Sequence, residues 1–314
     1  MIKDHLSSEM EAWPAKLRDL ALQSKIFWTY SLKRFNTLRI GGAAACFIEV
    51  LHLEDLSRLL PFLKHDQVPW MIIGKGSNLI FPDEGWPGIV FRLASGFKSW
   101  EIVEADRQIY VGAALADVTV AQRCIPLGWG GLEFLIGIPG CIGGAIAMNA
   151  GAHGGEISDY LQQVWWMDMD GHTHHAQGES LNFAYRHSPL NSKFGTVITA
   201  ALFQLNESSP EIVKQHIREY QTFREEKQPR NIPNCGSIFK NPPQHYAAEL
   251  IESVGLKGHG IGDAQISEVH SNFIVNRGHA KAQDVLALME LIRETVWERY
   301  QIPLEPEVQI VTKH

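Results

Sequence analysis

Apolar residues recur at helical spacing in several stretches of this chain. Leu56, Leu59, Leu60 and Leu63 share one face of Glu54–His65. Ile212, Ile217 and Tyr220 share a face of a segment that has serine at its cap and Pro210 at its first helical position. A third helix is expected over Tyr246–Val254, closed by Gly255. A fourth, Lys281–Tyr300, carries the stripe Val285, Leu288, Met289, Ile292 and Val296. Leu17, Leu20 and Ala21 predict a helical leader through about the first thirty residues, and Asp117–Cys124 a short helix.

The intervening text alternates or runs apolar as strands do. NTLRIGGAAACFIEV, from Asn36, predicts a strand, a Gly-Gly turn and a second strand. PWMIIGKGSNLIF predicts a buried strand over Trp70–Ile73, a tight glycine turn and another short strand. GIVFRL and QIYVGAAL continue the theme, and Val164–Leu205 is mostly β, with a hairpin turning at Asp170-Gly171. The change of texture near Asn206 places a domain boundary there. The expected division is a leader over 1–34, a first domain over 35–205 and a second over 206–314, with the last strand returning to the active site.

Composition narrows the class. A chain of 314 residues with 45% hydrophobic and 20% charged residues suits two globular domains. A net charge of −7 and the lack of a Lys/Arg run argue against nucleic acid. The start, MIKDHLSSEMEAW, lacks a signal-peptide pattern, and no segment reads as a plausible spanning helix. The four cysteines show no C-x-x-C spacing. A reduced, cytoplasmic protein with no membrane partner is the expectation.

Gly128–Gly155, GWGGLEFLIGIPGCIGGAIAMNAGAHGG, is almost uncharged and dense in glycine. Its glycines and Pro139 would leave a lipid-exposed helix poorly ordered, and they suit close approach of backbone amides to an anion such as a pyrophosphate. The plain alternative is a glycine-rich turn packed under a sheet. GKGSN (Gly74, Lys75, Gly76, Ser77, Asn78) follows a buried strand, where a phosphate-cradling turn is expected, but it is neither a P-loop nor a dinucleotide fingerprint. Two such sites in one β-rich region strengthen each other.

Other candidates follow. YRHSPL places Arg186 among apolar and aromatic neighbours, as an exposed arginine or as a fixed cation for a carboxylate. In PNCGSIFKNP, Ser237 follows a glycine, which suggests a hydroxyl presented in an exposed turn, with Lys240 and Asn241 beyond it to meet phosphate or sugar oxygens. The bland reading is a proline-bounded loop, and the hydrolase nucleophile elbow is absent. Glu305 and Glu307 in LEPEVQIV fall on one face if the segment is a strand. His172, His174 and His175 are read as solvent-facing residues of a hairpin tip, with no metal site.

With these segments in view, the chain resembles the UDP-N-acetylenolpyruvoylglucosamine reductase (UDP-N-acetylmuramate dehydrogenase) family of flavoenzymes, from about Phe35 to Val311. The carriers, in order, are NTLRIGG, GKGSN, GLEFLIGIPGCIGG with MNAGAHG, YRHS, NCGSIFKNP, ESVGLKGHGIGDAQIS with NFIVN, and LEPEV. The resemblance implies an α+β fold: an FAD-binding portion of the vanillyl-alcohol-oxidase (PCMH) type in two subdomains, divided near residue 95, and a C-terminal substrate domain. It implies non-covalent FAD held by Gly74–Asn78 and by Gly137, Ile138, Pro139, Gly140, Gly143, Gly144, Asn149, Ala150 and Gly151. Arg186, Ser237 and Glu307 fall on catalytic positions, and Lys227, Lys240 and Asn241 fall where a UDP-sugar is bound.

The reaction so implied is reduction of an enolpyruvyl ether with NADPH. Hydride passes through flavin N5 to C3, Arg186 and Glu307 stabilise the enolate, and Ser237 protonates C2, with Lys240 or a water chain re-supplying the proton. Three departures stand out. Cys141 and Ile142 occupy a turn where Ser or Thr before Val is common. Gln309 replaces an arginine. The interval between Arg186 and Ser237 is too short for an inserted substrate-covering loop, which places the chain in the loop-less second subgroup. The alternatives are an FAD-linked oxidase of the same fold and a non-catalytic flavin- or nucleotide-binding protein.

Overall fold

A computed structural model describes residues 13–103, 106–191 and 195–312. The chain forms two compact units, interleaved in sequence. Unit 1 comprises Met1–Trp28, Cys46–Gly74 and Gly88–Tyr220; unit 2 comprises Thr29–Ala45, Lys75–Pro87 and Gln221–His314. The sequence expectation kept 35–205 in one domain, whereas 35–45 and 75–87 of that range pack with the C-terminal residues, as do 29–34 of the expected leader. Among the described residues no helix is long and apolar enough to cross a membrane.

The helical leader is only partly as expected. Residues 1–12 lie outside the described residues and 13–19 are helical, but Lys25–Ser31 is a strand and Leu32–Phe35 a single 3-10 turn. KIFWTYS is rich in aromatic and β-branched side chains, which favour a pleated surface over a helix. The first strand of NTLRIGGAAACFIEV does not form either. Asn36 sends its amide to the carbonyls of Leu32 and Ile40, both at 2.8 Å, and Arg39 adopts a φ of 59°. Those contacts close a turn where a strand was expected, and the strand begins only at Ala43.

Two sheets organise the first half. One has the order Lys25–Ser31, Ala43–Val50, Trp86–Leu93, Trp70–Ile72, with its last pair parallel; the helix Leu53–His65 joins the second of these strands to the fourth. The other, antiparallel, has the order Thr173–Gln177, Leu161–Met167, Val197–Gln204, Gln108–Gly112, Trp100–Val103. The expected hairpin lies at its edge, turned through Gly171 at a φ of 80°. Val111, Val120, Phe134, Ile142, Ile146 and Phe203 build one core, so the glycine-rich run contributes apolar side chains to the packing.

Unit 2 centres on an antiparallel sheet ordered Asn234–Ser237, Phe273–Asn276, Ala264–Ile266, Gly260–Ile261. Helices Ala247–Ser253 and Ala282–Tyr300 share its core of Ile238, Phe239, Ile251, Val285 and Leu288, joined by Leu38, Ile40 and Ile80. Asp83 explains why segment 75–87 belongs here. Its carboxylate accepts the amides of Ala282 (2.9 Å) and Gln283 (3.2 Å), satisfying the first turn of the long helix and opposing its dipole.

Candidate active site

Unit 1 folds the glycine-rich run into short pieces: a 3-10 turn Glu133–Gly137, a loop, the helix Ile142–Ala147 and a small hairpin from Gly151. Gly74 belongs to the same neighbourhood, since a Cβ there would stand 2.6 Å from Cys141 Sγ. The first residue of GKGSN and the glycine-rich run therefore meet.

The run does not lay its amides bare wholesale, as the sequence suggested. Ile138 donates to Leu135 O (3.0 Å), Gly143 to Ala113 O (2.9 Å), Asn149 to Ile146 O (3.1 Å) and Ala150 to Ala145 O (2.8 Å). Turns this tight close on themselves, so these four positions can meet a ligand only with their other edges. Gly137 and Gly144 border open space. A Cβ at Gly137 meets nothing within 4 Å, and one at Gly144 only Cys141 Sγ at 4.0 Å. Open space over two glycines of a convergent turn is the shape a flat cofactor or its diphosphate needs, and the residues present fit FAD.

Arg186 is held beside this run. It sits at the tip of a turn bridged by Ala184 and His187, with a φ of 54°, and its guanidinium lies 4.8 Å over the Tyr185 ring. Its Nη2 donates to Gly151 O at 2.8 Å and its Nη1 lies 3.5 Å from Asn149 O. Asn149, 0% exposed, welds the arrangement. Its amide donates to Glu156 Oε1 (2.9 Å) and Ala184 O (3.1 Å), and its Oδ1 accepts from Ser158 N (3.0 Å). The side chain of Asn149, a residue expected to help hold FAD, ties the glycine run to the Arg186 turn.

Unit 2 carries the other two candidates and draws them together. Glu307 N donates to Ile238 O at 2.8 Å, immediately after Ser237, and Lys240 N donates to Glu305 O at 2.9 Å. Asn78 Nδ2 donates to Glu307 O at 3.1 Å, so the end of GKGSN reaches the same segment. Ser237 is not in an exposed turn: it closes a strand, half-buried, opposite Phe273, after Gly236 at a φ of 78°. The bulge between Asn234 and Ser237 accounts for the glycine. LEPEV is not a continuous strand: it pairs through an isolated antiparallel bridge of Pro306 with Phe239, and Glu305 is solvated and Glu307 half-buried.

The proposed sugar-binding side chains have local partners. Lys240 Nζ meets Glu305 at 2.6 Å, and Asn241 Oδ1 accepts Ala247 N at 3.0 Å, at the start of a helix. An ammonium so engaged is poorly placed to re-supply a proton to Ser237. Lys227 is exposed at the end of the helix Pro210–Lys227. Nearby, burial, with a smaller contribution from Arg230, pulls the Arg224 guanidinium below its usual range.

Sequence reasoning missed Asn272. It is 4% exposed, and its side chain clamps Phe239 from both sides, accepting from Phe239 N (3.0 Å) and donating to Phe239 O (2.8 Å). The only sign was its place before the wholly apolar run FIV. The histidines of the hairpin serve Asp168: His174 Nε2 lies 2.6 Å from it. Burial pushes that carboxyl up, but the hydrogen bonds from His174 and the backbone outweigh it and hold it at about 2. Among the described residues no group of His, Cys, Asp or Glu side chains is placed to hold a metal. A cavity of about 340 Å³ in unit 1, lined by Glu133, His153, His216 and Tyr220 among others, includes none of the predicted site residues.

Comparison with known proteins agrees with this geometry. The family model described as UDP-N-acetylenolpyruvoylglucosamine reductase, C-terminal domain, matches residues 228–311, and that described as FAD binding domain matches 44–177. UDP-N-acetylenolpyruvoylglucosamine reductase 1 of Bacillus cereus is 39% identical over 280 residues, covering 89% of this chain and 92% of that protein. The Bacillus subtilis reductase is 38% identical over 287 residues, 91% and 94% of the two chains. The crystal structure of UDP-N-acetylenolpyruvylglucosamine reductase from Thermus caldophilus superposes with a TM-score of 0.78 at 36% identity, covering 92% of this chain and 99% of that one. The α+β class and the FAD-binding domain expected from the motifs are those found. The chain belongs to the UDP-N-acetylenolpyruvoylglucosamine reductase family.

Proposed function

We propose that this chain reduces UDP-N-acetylenolpyruvoylglucosamine to UDP-N-acetylmuramate with NADPH and non-covalently bound FAD, in the cytoplasm, for peptidoglycan precursor synthesis. The observation that carries the reading is the hydrogen-bonded pairing of the segment after Ser237 with Glu307, inside a chain of this family. Four free cysteines agree with a reducing compartment.

Bound FAD supplies the hydride that reaches C3 of the enolpyruvyl double bond. The chain supplies the rest. Charge accumulates at C2 and the carboxylate, where water alone would leave it high in energy, so the site needs a fixed cation. Arg186 fills that role: its nitrogens are oriented by the carbonyls of Gly151 and Asn149, which hold the charge in place without neutralising it. Ser237 donates the proton to C2. Glu307 is positioned through its backbone, which is hydrogen-bonded to Ile238 and Asn78. Asn241 and Lys240 bind the sugar only by exchanging their present partners.

The test is a visible spectrum of the purified protein followed by NADPH oxidation with and without the enolpyruvyl UDP-sugar. A yellow protein that releases its flavin on acid precipitation and oxidises NADPH in a substrate-dependent way is expected. A colourless protein that takes up no FAD, or a yellow one indifferent to the sugar, would sink the reading.

A further inference from the structure

Thr37 lies in NTLRIGG, between the turn-closing Asn36 and the core residue Leu38. Its Oγ1 is buried and has no hydrogen-bond partner among the described residues. A buried hydroxyl left unmatched costs stability, so a fold that keeps one in a well-ordered place usually matches it with something else.

The surroundings say with what. Thr37 N donates to Gly76 O at 3.1 Å, which fastens the residue to the middle of GKGSN. Gly76 has a φ of 64°, and a Cβ there would run into Phe35 O, so the turn is pressed directly onto the Phe35–Thr37 backbone. Asn36, 5% exposed, locks that backbone through the carbonyls of Leu32 and Ile40, both at 2.8 Å. The hydroxyl is therefore pre-placed beside a glycine turn of the phosphate-cradling kind, and little ordering remains to be done when a ligand arrives.

We infer that Thr37 is a cofactor-binding residue whose hydroxyl donates to a phosphate oxygen of the FAD diphosphate at the GKGSN turn. The inference rests on the FAD reading of that turn. A hydroxyl donating to an anionic oxygen makes a charge-assisted bond, stronger than a neutral pair.

Thr37→Val keeps the shape and removes the hydroxyl, while Thr37→Ser keeps the hydroxyl. The flavin-free proteins are titrated with FAD by fluorescence quenching, and their melting temperatures are recorded with and without FAD. If the hydroxyl is unmatched until FAD binds, Thr37→Val leaves the melting temperature of the flavin-free protein unchanged or higher. It also binds FAD about tenfold more weakly, and Thr37→Ser binds as the parent does. Equal FAD affinity in Thr37→Val overturns the inference, as does a lower melting temperature of its flavin-free form, which would mean that the hydroxyl serves the fold. A parent protein that binds no FAD defeats the broader reading instead, and the two failures are read from different samples.

Discussion

The side-chain amide of Asn78 donates to the backbone carbonyl of Glu307 at 3.1 Å, and the chain answers two residues on, where Gln309 N donates to Asn78 O at 3.0 Å. Residues 229 positions apart are thereby locked in register at the start of the parallel pair Leu79–Ile80 and Gln309–Ile310. Asn78→Ala removes the side-chain half of this lock. We expect a loss of about 1 kcal/mol in urea unfolding. Turnover should fall by roughly tenfold if Glu307 must stand where it does. Wild-type turnover in the variant would show that Glu307 does not depend on that contact.

Ser237→Ala separates the two halves of the reaction. Bleaching of the flavin absorbance by NADPH should proceed at nearly the parent rate. Recovery of the colour on adding the enolpyruvyl sugar should slow by about 10²–10⁴, the usual loss on removing a positioned acid. Stopped-flow absorbance reads both phases in one cuvette, and two unchanged phases would take the proton donor away from Ser237.

Asn149→Asp tests the weld between the glycine run and the Arg186 turn. The new carboxylate would lie against Glu156 Oε1 and Ala184 O, where the amide now donates, in a site with no exposure. A buried charge facing acceptors should cost about 3 kcal/mol or more in chemical denaturation. Arg186→Lys, by contrast, should fold normally and lose at least roughly tenfold in kcat, since one ammonium cannot reproduce an oriented planar fork. A lysine variant with full turnover would remove Arg186 from the chemistry.

Acid should weaken unit 2 through His270. Burial holds its imidazole below the ordinary value, and Nδ1 accepts Asn272 N at 3.3 Å, which requires that nitrogen to be unprotonated. The unfolded chain therefore binds a proton near pH 6.5 that the folded chain refuses. Stability should be full above that pH and decline as pH falls from there toward the lower folded value. His153, lowered by burial as well, gives unit 1 a dependence of the same sign. Urea midpoints at pH 8 and pH 5.5 measure it, and His270→Asn should flatten the difference. An unaltered slope in the variant would assign the acid sensitivity elsewhere.

Much of this was legible because helices and hairpins announce themselves locally. The stripe from Val285 to Val296 and the Asp170-Gly171 turn need no distant partner to be read. What failed had a non-local cause or a side chain acting on backbone. Asn36 turned an apparent strand into a loop by satisfying two carbonyls, and the segment expected to present Glu305 and Glu307 as a strand pairs through an isolated bridge at Pro306, with the distant Phe239. Segment 75–87 joined the C-terminal residues through Asp83 and the helix start at Ala282, a link of 199 positions that no periodicity records. The candidate site was legible as motifs. The scaffolding roles of Asn149 and Asn272 were not, because a lone buried asparagine looks the same in sequence wherever its amide points.

The cysteines carry a chemical consequence. Cys46, Cys124 and Cys235 are buried, and burial pushes each thiol up to about 12. At neutral pH only about one in 10⁵ of such groups is ionised, and it is the anion that peroxide and alkylating reagents attack. Reduced flavins shed peroxide when they meet oxygen, so a protein that carries one lives beside its own oxidant. Packed as apolar filler, these three sulfurs are poor targets for that by-product.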